Sequence, residues 1–457
     1  MSDDKMHRGL LCGTAVILAL TLAQSPAKLV SSLDQQAGLL LLPLAVPLLL
    51  LALGPSLPPV VRADFLLLAA GWGAIFRWAI LLPTACLELK TTVAAMALGL
   101  FWTWLIPLAQ LPPAFSTMDE PWLQRLFEPE TKRAPQFSLS IIAATWLRLT
   151  GFSFNPVISG LALTAGTGRP LWATGLAACL AELYRTYFNF GSAESMAADL
   201  RIYAFILLVL PLGAWLVRVG LRNLTRPRQL VLDFQRSQGP VQIMVSVVLL
   251  ISVFVLTGPE AGIIVGVSVL ALLYSVLARS SIGLLLLPIW RPLELLPSAV
   301  WPSASLGLLA GVIGAVLLGE GWTRRRSSIC LSRSLWGPAS VFLILVGLVF
   351  LQVPLLAEEL TSFPSAGGDW LAGLFAPDFA PLLWIFFGLG VTFGILSGRE
   401  IYIYLAWGLL LPVGWGKSLL IGSGLAWLFA NQAETTNSVG KGLIAGDLLA
   451  SLLLLLS

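Results

Sequence analysis

Only one histidine, His7, occurs in this 457-residue chain, and it sits close to the N-terminus. Without an imidazole in any apolar stretch, haem ligation by paired histidines, a histidine proton relay and a histidine-held catalytic metal are all excluded. The four cysteines, Cys12, Cys86, Cys179 and Cys330, stand far apart without a CxxC pair, which signals neither a zinc site nor a disulfide framework. They read as small buried hydrophobes. Charge is equally scarce: 11% of residues are Asp, Glu, Lys or Arg, against roughly a quarter in a soluble domain. The net charge of +4 gathers in short loops rather than on one face, so nucleic acid is not an expected partner. No cofactor-binding motif and no metal-ligand set is present. Nor is there a polar stretch long enough to fold on its own.

What fills the chain is apolar sequence. Hydrophobic residues make up 57% of it and the mean hydropathy is +0.89, which predicts a single, all-α integral membrane domain over residues 1–457. The 29 prolines and 42 glycines would break helices in water, but a transmembrane bundle tolerates both where neighbouring helices re-satisfy the freed backbone. Apolar runs at 37–54, 64–83, 91–112, 202–221, 240–257, 260–278, 304–319, 335–357 and 379–397 predict spans. Less regular runs at 9–24, 137–165, 171–190, 281–300, 401–413, 418–430 and 438–456 bring the bundle to about 12–16 membrane segments, some broken or re-entrant. The first run follows Lys5 and Arg8 as a signal peptide would. A second apolar block follows at once, so a retained span is expected.

Arg218, Arg222, Arg226, Arg228 and Arg236 crowd 218–236, and Arg324, Arg325, Arg326 and Arg333 crowd 324–333. Both loops are therefore expected on the cytoplasmic side. Residues 358–378 hold Glu358, Glu359, Asp369 and Asp378 with no Lys or Arg and belong outside. That loop has nothing to hold a phosphate, which disfavours an integral-membrane glycosyltransferase or ligase. No HExxH, GxSxG or kinase-type set occurs either, so no enzymatic activity is expected. GWGKS at 414–418 is not a P-loop, because the position five before Gly416 is Leu411 rather than glycine. Lys417 instead marks a turn between two short helices.

Ionisable residues inside apolar segments are costly and become the functional candidates. Arg77 lies inside 64–83, facing inward or snorkelling to the interface. Glu88 lies eleven residues on, with Pro83 between them, and with Lys90 reads as an interfacial pair. In FSLSIIAATWLRLTGFSFNPVISGLAL (137–163), Gly151, Asn155, Pro156 and Gly160 predict a non-helical stretch over 151–160. It is either an unwound or re-entrant turn lining a cavity, with Asn155 among the ligands, or a kink or short external loop. Glu182 and Arg185 in AACLAELYRTYFNF (177–190) are neighbours on a helix and can enter the membrane neutralised, as a substrate-coupled pair or as a rivet between helices. Arg148 is a candidate partner for Glu182 across the bundle. Asp447 follows the G-x-x-x-G spacing of Gly442 and Gly446, which allows close helix approach. It faces a neighbour or a cavity, or lies at the interface with Lys441.

From Ala406 to Leu455 the chain runs LLLPVGWGKSLLIGSGLAWLF, a polar turn NQAETTNSVG, then KGLIAGDLLASLLLLL. This succession resembles the C-terminal end of the oligopeptide transporter superfamily, in which an LLP-containing helix, a Gly-rich helix and a GLIAGE-type helix follow in that order. Asp447 fills the acidic position of the last motif. PPAFSTMDEPWLQRLFEPE at 112–130 is similar to the external Pro/Trp/acid segment of bacterial relatives. The two stretches cover under a fifth of the chain. The resemblance implies proton-coupled uptake of peptides or metal chelates.

The expectation is a secondary transporter of a small solute in a bacterial inner or internal membrane. Arg77, Arg148, Asn155, Glu182, Arg185 and Asp447 are its substrate- or ion-binding candidates. Partners are lipid, the solute, and a second copy or another membrane protein. The competing class is a non-transporting membrane scaffold or assembly factor.

Overall fold

A computed structural model describes residues 3–22, 37–51, 89–105, 125–128, 134–152, 154–166, 171–187 and 401–457, with isolated positions between them. Among the described residues every regular element is a helix. The helices are α1 (Asp3–Leu22), α2 (Ala37–Leu40), α3 (Ala45–Leu51), α4 (Leu89–Leu105), α5 (Ala134–Leu149) and α6 (Pro156–Ala165). They continue as α7 (Leu171–Tyr187), α8 (Ile401–Leu410), α9 (Trp415–Leu428) and α10 (Ala433–Leu456), with 3-10 turns at Leu42–Leu44 and Ala430–Gln432. Among the described residues one stretch, Ala430–Leu456, is long and apolar enough to cross a membrane by length and composition. The expected spans from 202 to 397, the charged loops that set the topology, and Arg77 with its segment 64–83 lie outside the described residues, isolated positions aside.

Proline decides how the apolar run at 37–54 folds. It is not one regular α-helix: α2 gives way to a 3-10 turn holding Pro43, then α3 restarts with Pro47 in its first turn. There the missing N–H removes no helical bond. The indole of Trp72 donates to the Leu39 carbonyl at 3.1 Å and ties this elbow to the core.

Residues 137–165 form two helices joined by a short reversal. α5 ends in a Schellman motif: Phe152 N–H donates to Leu147 O (3.2 Å) and Gly151 N–H to Arg148 O (3.1 Å), with Gly151 at φ 70°. Only glycine adopts that φ at little cost. The expected disruption over 151–160 narrows to the residues before Pro156, because Pro156 starts α6 instead of breaking it. Asn155 is its N-cap, and the side-chain oxygen accepts from Ile158 N–H at 3.3 Å. Gly160, expected to weaken the backbone, lies within α6. All ten residues of α6 are buried.

Close contacts fix the helix directions. Gly442 of α10 lies against Phe137 and Ser140 of α5, and Gly446 lies against Ile141 and Ala144, so α5 and α10 run parallel. Gly160 of α6 meets Gly440 and Ile444, while Leu163 and Thr164 meet Gly440, an antiparallel pair. Gly422 of α9 faces Ser159 and Ala162, and Ser418 bonds Asn155 and Ser159, so α9 runs parallel to α6. α7 packs on α8 at Gly408 and on α9 at Gly416. The glycines act by having no side chain. A β-carbon on Gly442 would lie 2.5 Å from Ser140 Cβ and 2.6 Å from Phe137 O.

Candidate functional site

Asp447 lies on α10 and is 1% exposed. Its neighbour across the α5–α10 seam is Arg148, in the last turn of α5, where a cation complements the helix dipole. Arg148 Nε and Asp447 Oδ1 are 3.8 Å apart, with side-chain exposures of 13% and 2%. That separation makes an ion pair but not a hydrogen bond, and neither facing atom has a hydrogen-bond partner. One turn on, the Ser451 hydroxyl is also buried without a partner. Gly38 of α2 closes the other side, where a β-carbon would meet Ser451 Oγ and lie 2.7 Å from Asp447 Oδ2.

The gap in the pair does not come from helices standing apart. The backbones touch at Gly442 and Gly446, and the Thr145 hydroxyl lies 2.8 Å from Ile141 O and 3.1 Å from Gly446 O, a cross-helix tie beside the pair. The 3.8 Å separation of Arg148 and Asp447 thus stands between helices that are already in contact.

Near this level the chain reverses from α5 into α6. Continuing the antiparallel register of α6 on α10 by one turn from Gly160 brings Asn155 and Pro156 level with the Asp447 turn. The Asn155 N–H donates to Ser418 Oγ at 3.0 Å, and Ser159 Oγ donates to Ser418 O at 3.1 Å. The N-termini of α6 and α9 are thus stitched side by side. Asn155 carries that joint, its side-chain oxygen being the helix cap.

Glu182 serves a different joint. Its Oε1 lies 3.1 Å from Lys417 Nζ, and its Oε2 accepts from Gly414 N–H at 3.3 Å. Gly414 has φ 88° and begins α9, so Glu182 clasps the α8–α9 turn that the Lys417 sequence signals. The expected Arg148–Glu182 pairing is therefore corrected: Arg148 pairs with Asp447, and Glu182 with Lys417. Of Arg185 the structure describes the helical backbone and not the side chain.

Sequence reasoning passes over several buried polar groups. Lys441, expected near an interface, is 1% exposed and donates to Glu128 O at 2.9 Å. Asn437 Nδ2 donates to Arg125 O at 3.2 Å one turn earlier, so residues 125–128 strap across α10. Ser418 and Ser451 carry no sequence signal beyond sitting in apolar helices.

The structure thus brings Arg148 and Asp447 into one cluster with Asn155 near its level, and puts Glu182 at a separate clasp. No family model matches this chain, and neither a curated protein nor a solved structure does.

Proposed function

We propose that this chain is a polytopic membrane bundle working as a secondary, proton-coupled transporter of a small solute, such as a peptide or a metal chelate, and not as an enzyme. The observation that carries the reading is the Arg148–Asp447 pair. A charge at the centre of a membrane helix costs about 2.5–3.5 kcal/mol, and such groups mark solute and proton pathways. Here two of them meet beside the junction of α5 and α6, with hydrogen-bonding capacity left over. Asp447 lies within Ala430–Leu456, the stretch of spanning length and composition.

Exposed side chains support the bilayer setting. Leu139, Ile142, Trp146 and Leu149 line one face of α5, and Trp172, Leu176, Leu180 and Leu183 one face of α7. Aligned large apolar side chains are costly against water and suit a lipid surface. A bacterial inner or internal membrane is the proposed location, with lipid and a second copy or another membrane protein as partners of those faces.

The scaffold reading is favoured by one observation, the flush glycine packing of α10 against α5 and α6, which leaves those seams filled. Reconstitution separates the two. Proteoliposomes with an internal pH dye and an inward proton gradient, challenged with di- and tripeptides and metal chelates, are expected to acidify with at least one solute. Folded wild-type protein that passes neither protons nor any tested solute would establish the scaffold.

A further inference from the structure

Arg148 and Asp447 stand at a distance where a small oxyanion could replace one of them. A charge-assisted N–H···O bond closes to about 2.7–2.9 Å, whereas this pair stays at 3.8 Å although its helices already touch. Nε therefore keeps an unspent donor, and the Ser451 hydroxyl beside Asp447 is an unspent donor too. Access is one-sided. The Arg148 side chain is 13% exposed and that of Asp447 2%, so a solute meets the Arg148 side chain first.

We propose that the two form an exchangeable ion pair, in which Arg148 anchors a carboxylate of the solute and Asp447, its resident counter-ion, takes up a proton as the solute binds. This rests on the transport reading above. The charge count among the described residues calls for the proton. Among the described helices and turns packed on α10, α5 contributes Arg148, and α6, α2, α3 and the two 3-10 turns contribute no ionisable side chain. The main-chain carbonyls of Arg125 and Glu128 meet α10 at Asn437 and Lys441. The helix itself adds Glu434 and Lys441, both at least six residues before Asp447. A solute carboxylate beside an ionised Asp447 would put two anions against one cation, a net buried charge. An O–H bond forms on Asp447 with a proton from water at the entry side, the Arg148 contact passes to the solute, and the site keeps its charge. One proton enters per carboxylate.

The probe is N-acetyl-alanyl-alanine, a monoanion, with its C-terminal amide as the neutral match, added to full-length protein in detergent. The acid is expected to raise the melting temperature, more at acid than at neutral pH, with uptake of one proton per bound peptide from weakly buffered solution, and the amide is expected to do nothing. D447N should keep the thermal response while losing both its pH dependence and the proton uptake. R148Q should lose the response. The R148Q/D447N double variant, which leaves no lone buried charge, should fold and also stay silent. An inert acid, an equally effective amide, or a double variant that responds like wild type overturns the exchange. Uptake by proteoliposomes decides the transport reading separately. Transport that ignores the carboxylate keeps the transporter and overturns the exchange, whereas proton-linked binding without flux does the reverse.

Discussion

Removing the charge of Asp447 alone should harm the fold more than removing both charges of its pair. At 3.8 Å and an effective dielectric of about 20, the two charges attract by about 4 kcal/mol. Most of that is offset by the cost of taking both from water, so the pair adds little net stability, whereas a lone remaining charge keeps its cost with no partner. Truncating one member of a buried pair typically costs about 3–5 kcal/mol. D447N preserves the shape and leaves Arg148 behind, and R148Q leaves Asp447 behind at 1% exposure. Each single change should therefore cost about 3 kcal/mol or more, and the double change should recover at least half of the larger loss. Unfolding titrations in mixed micelles, followed by tryptophan fluorescence, measure the four corners of the cycle. Additive losses, or three variants as stable as wild type, would refute the coupling and leave Arg148 solvated.

Glu182→Gln, by contrast, should cost only about 0–1 kcal/mol, because its partner Lys417 is 68% exposed and the pair is screened; the same titration should barely move. Gly442→Ala drives a methyl into Ser140 Cβ and Phe137 O and should cost about 1–3 kcal/mol. Gly424→Ala meets nothing within 4 Å inside α9 and should gain about 0.4–1 kcal/mol, and thermal melts of the two variants should move in opposite directions. Asn155→Ala removes the α6 cap and should cost about 1 kcal/mol, while Asn155→Asp, which keeps the accepting oxygen, should lose less.

Which residues matter is partly legible in the amino-acid sequence, and the division follows the range of the interaction. The G-x-x-x-G spacing at Gly442 and Gly446 signals a close approach because one helix alone determines which residues share a face. It does not say that α5 fills the groove. The turn between α8 and α9 is legible because a lone lysine, Lys417, between two short apolar runs is a local signal. Pro156 misleads because proline breaks a helix from within yet starts one at its first position, and only the Asn155 cap distinguishes the cases. Charge in an apolar run draws attention to Asp447 and Arg148, which the structure brings together. Their pairing is not legible: Glu182 and Asp447 are equally eligible carboxylates, and the choice depends on the parallel register of α5 and α10, which is set by glycine contacts along the whole seam. That dependence also links the site to its scaffold. If register keeps the pair from closing, then easing the seam should change the pair. Gly446→Ala, which pushes Ile141 and Ala144 outward, should therefore shrink the coupling energy of the Arg148–Asp447 cycle as well as lowering stability. A coupling energy unchanged in the Gly446→Ala background would mean that the 3.8 Å gap belongs to the side chains' own rotamers and not to the helices that carry them.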